Sequence, residues 1–370
     1  MLTDAEPSPL EAFLRACSVV APDEESGPLL RQSAALVSCW DALPSDAASH
    51  GLPALVLRHA CAWNVQLPRS VRRQMDVHLL RQHAQQAAQY EVLREIADAF
   101  TLLGIAYVVL KGPVLAHAIY PDPRLRSMSD LDILVRMVDI QRVQGVLQAL
   151  GFGSPRSLGP VRPHAHHHLP PLQLCRHGET VTVEVHVSAV SRDQGGGLAL
   201  DASRELRQIQ FGQREIPAFG HIDMLTHLTA HLLEPAERTR LRDVAELVGY
   251  AAHFADDIDW ERLSQRHFRV TNALALMGCL VPLPRRLRER LSSDIGREPA
   301  GVGRGVPPLG TLTDAPLGHV VAQLLYPSDW WMHAFYGVPA GSDLTLTRWT
   351  RHASRLAWWL GRRTAAGWLL

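Results

Sequence analysis

The stretch Ser129-Asp130-Leu131-Asp132-Ile133-Leu134-Val135 sets two aspartates one residue apart in an apolar run. Strand side chains repeat every two residues, so Leu131 and Ile133 face a core while Asp130 and Asp132 share the opposite face. Aspartate is poor strand material. Two carboxylates at about 6 Å, in an effective dielectric of about 20, repel by about 3 kcal/mol. A fold that keeps this strand has to supply a cation to neutralise the pair.

The flanking sequence fits that demand. Ile105–Leu110 is a short run rich in β-branched residues and predicts a strand; Lys111-Gly112-Pro113 then gives a tight turn into a helix over Val114–Tyr120. A helix start of this kind favours an anion such as a phosphate. Lys111 adds a point charge, and Arg124 and Arg126 can reach the same polyphosphate. Ile140–Leu150 predicts a helix closed by Gly151, and Thr180–Val190 alternates as a strand. Val181, Val183, Val185 and Val187 line one face of it, and Thr182, Glu184, His186 and Ser188 the other. If the two strands are neighbours, Glu184 adds a third carboxylate to Asp130 and Asp132. An oxygen-only cluster suits a hard cation, and with substrate phosphates completing the shell that cation is Mg²⁺. Each feature alone has a plainer explanation, a solvated turn flank for D-x-D and an ordinary strand-to-helix turn for Lys-Gly-Pro; their conjunction favours the metal site.

The rest of the chain narrows the class. With 46% hydrophobic and 20% charged residues in 370, it is a globular sequence long enough for more than one packed unit. Lys plus Arg number 37 and Asp plus Glu 37, so no global field draws it to nucleic acid. Five cysteines without a C-x-x-C pair argue against a disulfide framework and a cysteine zinc site. The opening MLTDAEPSPLEAF lacks the basic end and apolar run of a secretory signal, and the apolar run Ala273–Leu283 is too short to span a bilayer. The expected location is the cytoplasm. Helical periodicity covers 1–103, a mixed sheet with helices covers 104–220, and helices return over 221–370, with a Gly/Pro-rich connection near 297–316.

Two further features carry open alternatives. The segment Arg348–Leu370 reads as a basic amphipathic helix, which can meet a membrane surface, bind a partner or dock on its own domain. His164–His168 and the i, i+4 pair His227 and His231 have metal-type spacing, but neither has an obvious third ligand and there is no H-E-x-x-H. His227 and His231 are better read as pocket-lining or buried residues. Asp243 is a helix-start charge or a pocket residue, and His186 a substrate contact or a packed histidine.

Lys111-Gly112, Ser129-Asp130-Leu131-Asp132-Ile133 and Glu184 together resemble the DNA polymerase β-like nucleotidyltransferase superfamily, with its Gly-containing turn, D-x-D strand and later acidic residue. More narrowly, about residues 50–250 are similar to a poorly characterised bacterial branch of nucleotidyltransferases. In that branch "LKG", an Arg before "DLDILV" (here Arg126), an "E-V-H" strand (Glu184-Val185-His186) and a later "H-x-x-x-H" helix (His227 to His231) occur together. The usual Gly-Ser of the superfamily is Lys-Gly here, so Lys111 is expected to replace the serine at the triphosphate. The resemblance implies an α+β fold, a small mixed sheet with helices flanked by helical regions. It implies that Asp130, Asp132 and Glu184 hold two Mg²⁺ ions, with Mn²⁺ as a substitute. It also implies that Lys111, Gly112, Arg124, Arg126 and Ser129 meet the nucleotide, and that His186, His227, His231 and Asp243 border an acceptor pocket. The implied reaction moves an NMP group from an NTP to a small-molecule, peptide or protein acceptor and releases pyrophosphate. The rival expectations are a non-catalytic, antitoxin-like nucleotide-binding module and a helical interaction protein that works through its basic C-terminal helix.

Overall fold

Val71, Met75, Val92, Leu93, Ile96 and Phe100 form one buried stripe, and Arg69–Leu102 folds as a single 34-residue helix. It is α5, after α1 (Pro9–Cys17), α2 (Ser26–Ala35), α3 (Leu43–Ser49) and α4 (Pro53–Ala62). At 1.5 Å per residue it is about 51 Å long. Gly104 ends it at φ +62°, and the Ile105 N–H bonds back to the Phe100 carbonyl at 2.9 Å. The coordinates are a computed structural model that describes residues 7–153, 168–191, 194, 197–233, 240–295, 325–339 and 341–357.

A four-stranded sheet follows. β1 (Tyr107–Val109) runs antiparallel to β2 (Leu131–Val135), β2 lies parallel to β4 (Glu179–His186), and β3 (Leu172–Arg176) pairs antiparallel with β4, in the order β1-β2-β4-β3. Parallel neighbours need a crossover, and α7 (Ile140–Ala149) provides its helix; α6 (Gly112–Ala118) connects β1 to the segment before β2. A separate hairpin, β5 (Leu206–Phe211) and β6 (Arg214–Phe219), leads into α8 (His221–Leu232), α9 (Leu241–His253), α10 (Trp260–Arg266), α11 (Phe268–Met277), α12 (Arg285–Ile295) and α13 (Asp329–Tyr336). The architecture is α+β, a small mixed sheet in a helix-rich chain.

Several expectations need correction. The strand expected over Thr180–Val190 stops at His186. Beyond it the Ser188 hydroxyl donates to the Val190 carbonyl at 2.6 Å and the Ala189 N–H turns to the Leu198 carbonyl at 2.8 Å, so the chain leaves the ladder. The strand expected over Ile105–Leu110 is only Tyr107–Val109, although the Leu110 N–H still donates to the Asp132 carbonyl at 2.9 Å. β3 and the β5–β6 hairpin went unanticipated, yet each has a short turn with left-handed residues, His177 and Gly178 in one and Gly212 in the other. The connection near 297–316, His164–His167 and residues 358–370 of the basic C-terminal segment lie outside the described residues. In the described part, that segment docks on its own chain. Arg355 lies 4.6 Å from the centroid of the Phe335 ring, and Arg351 lies 4.9 Å from that of Tyr336. Among the described residues no helix is long and apolar enough to cross a membrane.

Two sets of contacts fix the segment that carries the aspartates. On α5, Gln82 donates to the Arg124 carbonyl at 2.9 Å, Gln86 to the Pro123 and Arg126 carbonyls at 2.8 and 3.2 Å, and Gln85 to the Thr180 carbonyl at the start of β4 at 2.8 Å. From the other side, Glu246 on α9 pairs with Arg126 (Nη2 to Oε2 3.0 Å, Nε to Oε1 2.8 Å) and accepts from the Tyr120 hydroxyl at 3.1 Å. Arg242, one helical turn earlier, donates to the Ser127 carbonyl at 3.2 Å, and the Ser127 hydroxyl reaches the Gly51 carbonyl at 3.2 Å.

Removing one member of a buried ion pair leaves a buried charge without its partner. Glu246→Ala is therefore expected to lower the unfolding free energy by about 3–5 kcal/mol, measured by urea denaturation; a loss below about 1 kcal/mol would contradict the arrangement. Burial lowers the pKa of His50 and His59 from 6.5 and that of His221 to about 4. Because the folded pKa values are depressed, the unfolded chain takes up protons first as pH falls. Stability should be fully present above 6.5 and decline as pH drops toward about 4. Denaturation midpoints that stay flat or rise on acidification across that window would contradict this.

Candidate active site

The sequence contains a single lysine, Lys111, every other cation of the Lys-plus-Arg set being arginine. It sits at the turn between β1 and α6 with φ +33° and ψ −97°, a conformation that glycine adopts more easily than any side-chain-bearing residue. Its ammonium lies 3.2 Å from Asp132 Oδ2 and 3.4 Å from His231 Nδ1. An ammonium is a compact charge with three rotatable donors, which the planar fork of an arginine does not reproduce.

Asp132 is the centre of the cluster. It lies on β2, whose five residues are all buried, directly opposite Glu184 in the parallel ladder with β4. Its Oδ1 accepts from His186 Nε2 at 2.9 Å, and the same imidazole nitrogen is 3.7 Å from Glu184 Oε2. Ligand atoms of Asp132, Glu184 and His186 all fall within 4.8 Å of one another. Burial works to raise the Asp132 pKa, but Lys111 and the His186 bond hold it well below the usual carboxylate range. Glu184 goes the other way: burial, then the Asp132 charge, raises it. One carboxylate held ionised thus faces another whose pKa is displaced upward. Two carboxylates and an imidazole fit a divalent cation. In the present arrangement His186 donates to Asp132 and so orients the carboxylate.

The other residues expected at the site divide into groups. Asp130 precedes β2 and falls outside that three-residue ligand group; it accepts from the Ser129 hydroxyl at 3.1 Å, and burial followed by the Asp132 charge raises its pKa. Gly112 packs tightly, since a Cβ there would lie 3.2 Å from Met128 Sδ and 3.6 Å from Arg126 Nη1. Arg126 is buried on Glu246, and Arg124 is exposed and forks onto Asp122. From α8, His231 is brought against Lys111, which together with burial pushes its pKa down to about 3. His227, one turn earlier, donates from Nδ1 to the Ala189 carbonyl at 2.8 Å. Asp243 on α9 is bonded by Arg242 at 3.0 Å; burial opposes ionisation there, yet the guanidinium keeps the pKa at about 2. The i, i+4 histidines thus meet the lysine rather than a third ligand of their own.

Sequence reasoning missed Glu246 and Arg242, and it named His168 only as part of a run with metal-type spacing. His168, the described end of the HAHHH run, forms a β-bridge with His186, their ring centroids 5.4 Å apart. Glu246 and Arg242 lie on an amphipathic helix where nothing local distinguishes them from surface charges.

No curated protein matches the chain. Among solved structures, the lincosamide antibiotic adenylyltransferase LnuA with lincomycin bound aligns at 17% identity over 42% of this chain and 93% of its own. Its TM-score is 0.29, a superposition too loose to carry a functional conclusion. The family model described as uncharacterised nucleotidyltransferase matches residues 38–282, well over half of the sequence and including every residue of the cluster above, and the chain belongs to that family.

Proposed function

We propose that this nucleotidyltransferase moves an NMP group from an NTP to an acceptor hydroxyl with Mg²⁺ and releases pyrophosphate. The observation that carries the reading is the in-register pair Asp132 and Glu184 on adjacent parallel strands, with Lys111 and His186 against the same carboxylate. Asp130, Asp132 and Glu184 would hold two ions, with Mn²⁺ as a substitute, and the metal would supply the charge that offsets the triphosphate and acidifies the acceptor hydroxyl.

The chain's own groups do the rest. Lys111, beside Asp132, presents an ammonium to the phosphate oxygens. Gly112 leaves room for the Met128 sulfur and the Arg126 guanidinium, Ser129 bonds Asp130, Arg124 would have to leave Asp122 to meet the nucleotide, and Arg126 acts from behind through its pair with Glu246. The acceptor oxygen attacks the α-phosphorus as the bond to the bridging oxygen of the β-phosphate breaks. Pyrophosphate leaves with the bonding pair, and the acceptor proton goes to solvent where Glu184 completes the acceptor-side metal site, or to Glu184 where that carboxylate acts as the base instead. Residues 104–220 form the polymerase β-like core in this reading, with helices of 1–103 and 221–370 around it, and α8 and α9 contribute His227, His231 and Asp243 from beyond its boundary. Five free cysteines accord with a reducing, cytoplasmic setting.

The test is label transfer from α-phosphate-labelled NTPs, with Mg²⁺ or Mn²⁺ and a small-molecule and protein extract as acceptor source. Wild type should move label, and Asp132→Asn and Glu184→Gln should each reduce transfer by at least about 10²-fold while remaining folded. Equal transfer by Asp132→Asn would refute the proposed chemistry.

A further inference from the structure

Both oxygens of Asp132 are taken by donors from this chain. Lys111 Nζ lies 3.2 Å from Oδ2, and the two side chains are 16% and 7% exposed. His186 Nε2 lies 2.9 Å from Oδ1 and 3.7 Å from Glu184 Oε2, so the imidazole covers the Glu184 side of the carboxylate. The ammonium holds the other oxygen, where the charges of Asp130 and Asp243 also reach it.

Lys111 keeps this place against its own backbone preference. A positive φ of +33° with ψ −97° is unfavourable for a residue with a side chain, and such a conformation persists only where the surroundings hold it. An ammonium can only donate. Its acceptors here are Asp132 Oδ2 and, at 3.4 Å, His231 Nδ1, and only the first carries a full charge.

A divalent ion would have the same electrostatic use for Asp132 as this ammonium. Two cations on one carboxylate oxygen repel, most strongly where water is scarce, so an ion that takes Oδ2 displaces Lys111 from it. A buried charge that loses its partner needs another. The triphosphate is the anion that the reaction itself brings, and the long flexible stem of a lysine lets the ammonium follow it.

We propose that Lys111 is the resident counter-ion of Asp132, giving up Oδ2 to the divalent ion that enters with the NTP and moving to the triphosphate in exchange. This rests on the reading of the site as a nucleotidyl-transfer centre. An ion offered alone meets a carboxylate that is already neutralised, whereas ion and nucleotide together favour each other's binding. By linkage each raises the affinity of the other by the same factor.

One variant and one spectrum test the exchange. Mn²⁺ binding is read from the electron paramagnetic resonance of the free ion, with and without a non-hydrolysable ATP analogue. Without the analogue, Lys111→Met should bind Mn²⁺ at least about tenfold more tightly than wild type, since an adjacent cation weakens cation binding to a carboxylate by about tenfold to a thousandfold. The analogue should then improve Mn²⁺ affinity less in Lys111→Met than in wild type, by about that same factor; binding of Mn²⁺ to the analogue in solution is common to both proteins and cancels. Because the chain has a single lysine, wild-type protein labelled at lysine gives one side-chain nitrogen NMR signal. That signal should hold its place with Mg²⁺ alone and move when Mg²⁺ and the analogue are present together, and it decides the matter even if Lys111→Met does not fold. A signal unmoved in a complex that calorimetry shows to contain both, or Mn²⁺ binding by Lys111→Met without nucleotide that is no tighter than wild type, would overturn the exchange. No binding of Mn²⁺ with the analogue by wild type would overturn the site reading itself, and this inference with it.

Discussion

Everything at this site depends on one electrostatic arrangement, an aspartate held ionised inside a strand that is buried on both sides. Taking a carboxylate out of water is costly unless charge and hydrogen bonds come with it. Asp132 receives an ammonium on one oxygen and an imidazole N–H on the other. With those in place, the parallel pairing of β2 and β4 can set Glu184 directly opposite without expelling either residue from the sheet. The cluster thereby keeps two acidic groups with displaced pKa values in opposite directions, one low and one high.

That arrangement needs its backbone fixed. The segment from Pro123 to Asp130 has no strand ladder of its own, and it is held from two directions. Glutamines on α5 take up its carbonyl oxygens, and α9 grips it through Glu246 and Arg242. The helices on either side of the sheet are therefore part of the site's construction, and their charges are structural where they meet Arg126. The same helical framework brings His227 and His231 to the lysine, so residues more than a hundred positions apart in the chain share one cluster.

Much of this was legible in the sequence. Asp132 and Glu184 were marked by their alternation in apolar strands, since only a side chain with a task belongs there. β2, α7 and its Gly151 stop followed local rules that tertiary contacts did not override. Other parts were hidden for physical reasons. The parallel register that sets Asp132 against Glu184 is made by a crossover and cannot be read from either strand alone. The role of Arg126 was obscured because its partner Glu246 lies 120 residues away on a helix whose pattern looks like any other. His186 read as a packed residue or a substrate contact, whereas its ring is hydrogen-bonded to Asp132, a relation that only the neighbouring strand provides.

The most direct test of the central claim is a crystal structure with Mn²⁺ and a non-hydrolysable NTP analogue, with the ion located by its anomalous scattering. The account predicts an anomalous peak between the Asp132 and Glu184 carboxylates, with the nucleotide phosphates beside Lys111. A peak elsewhere, or a bound nucleotide with no ion at that carboxylate pair, would contradict it.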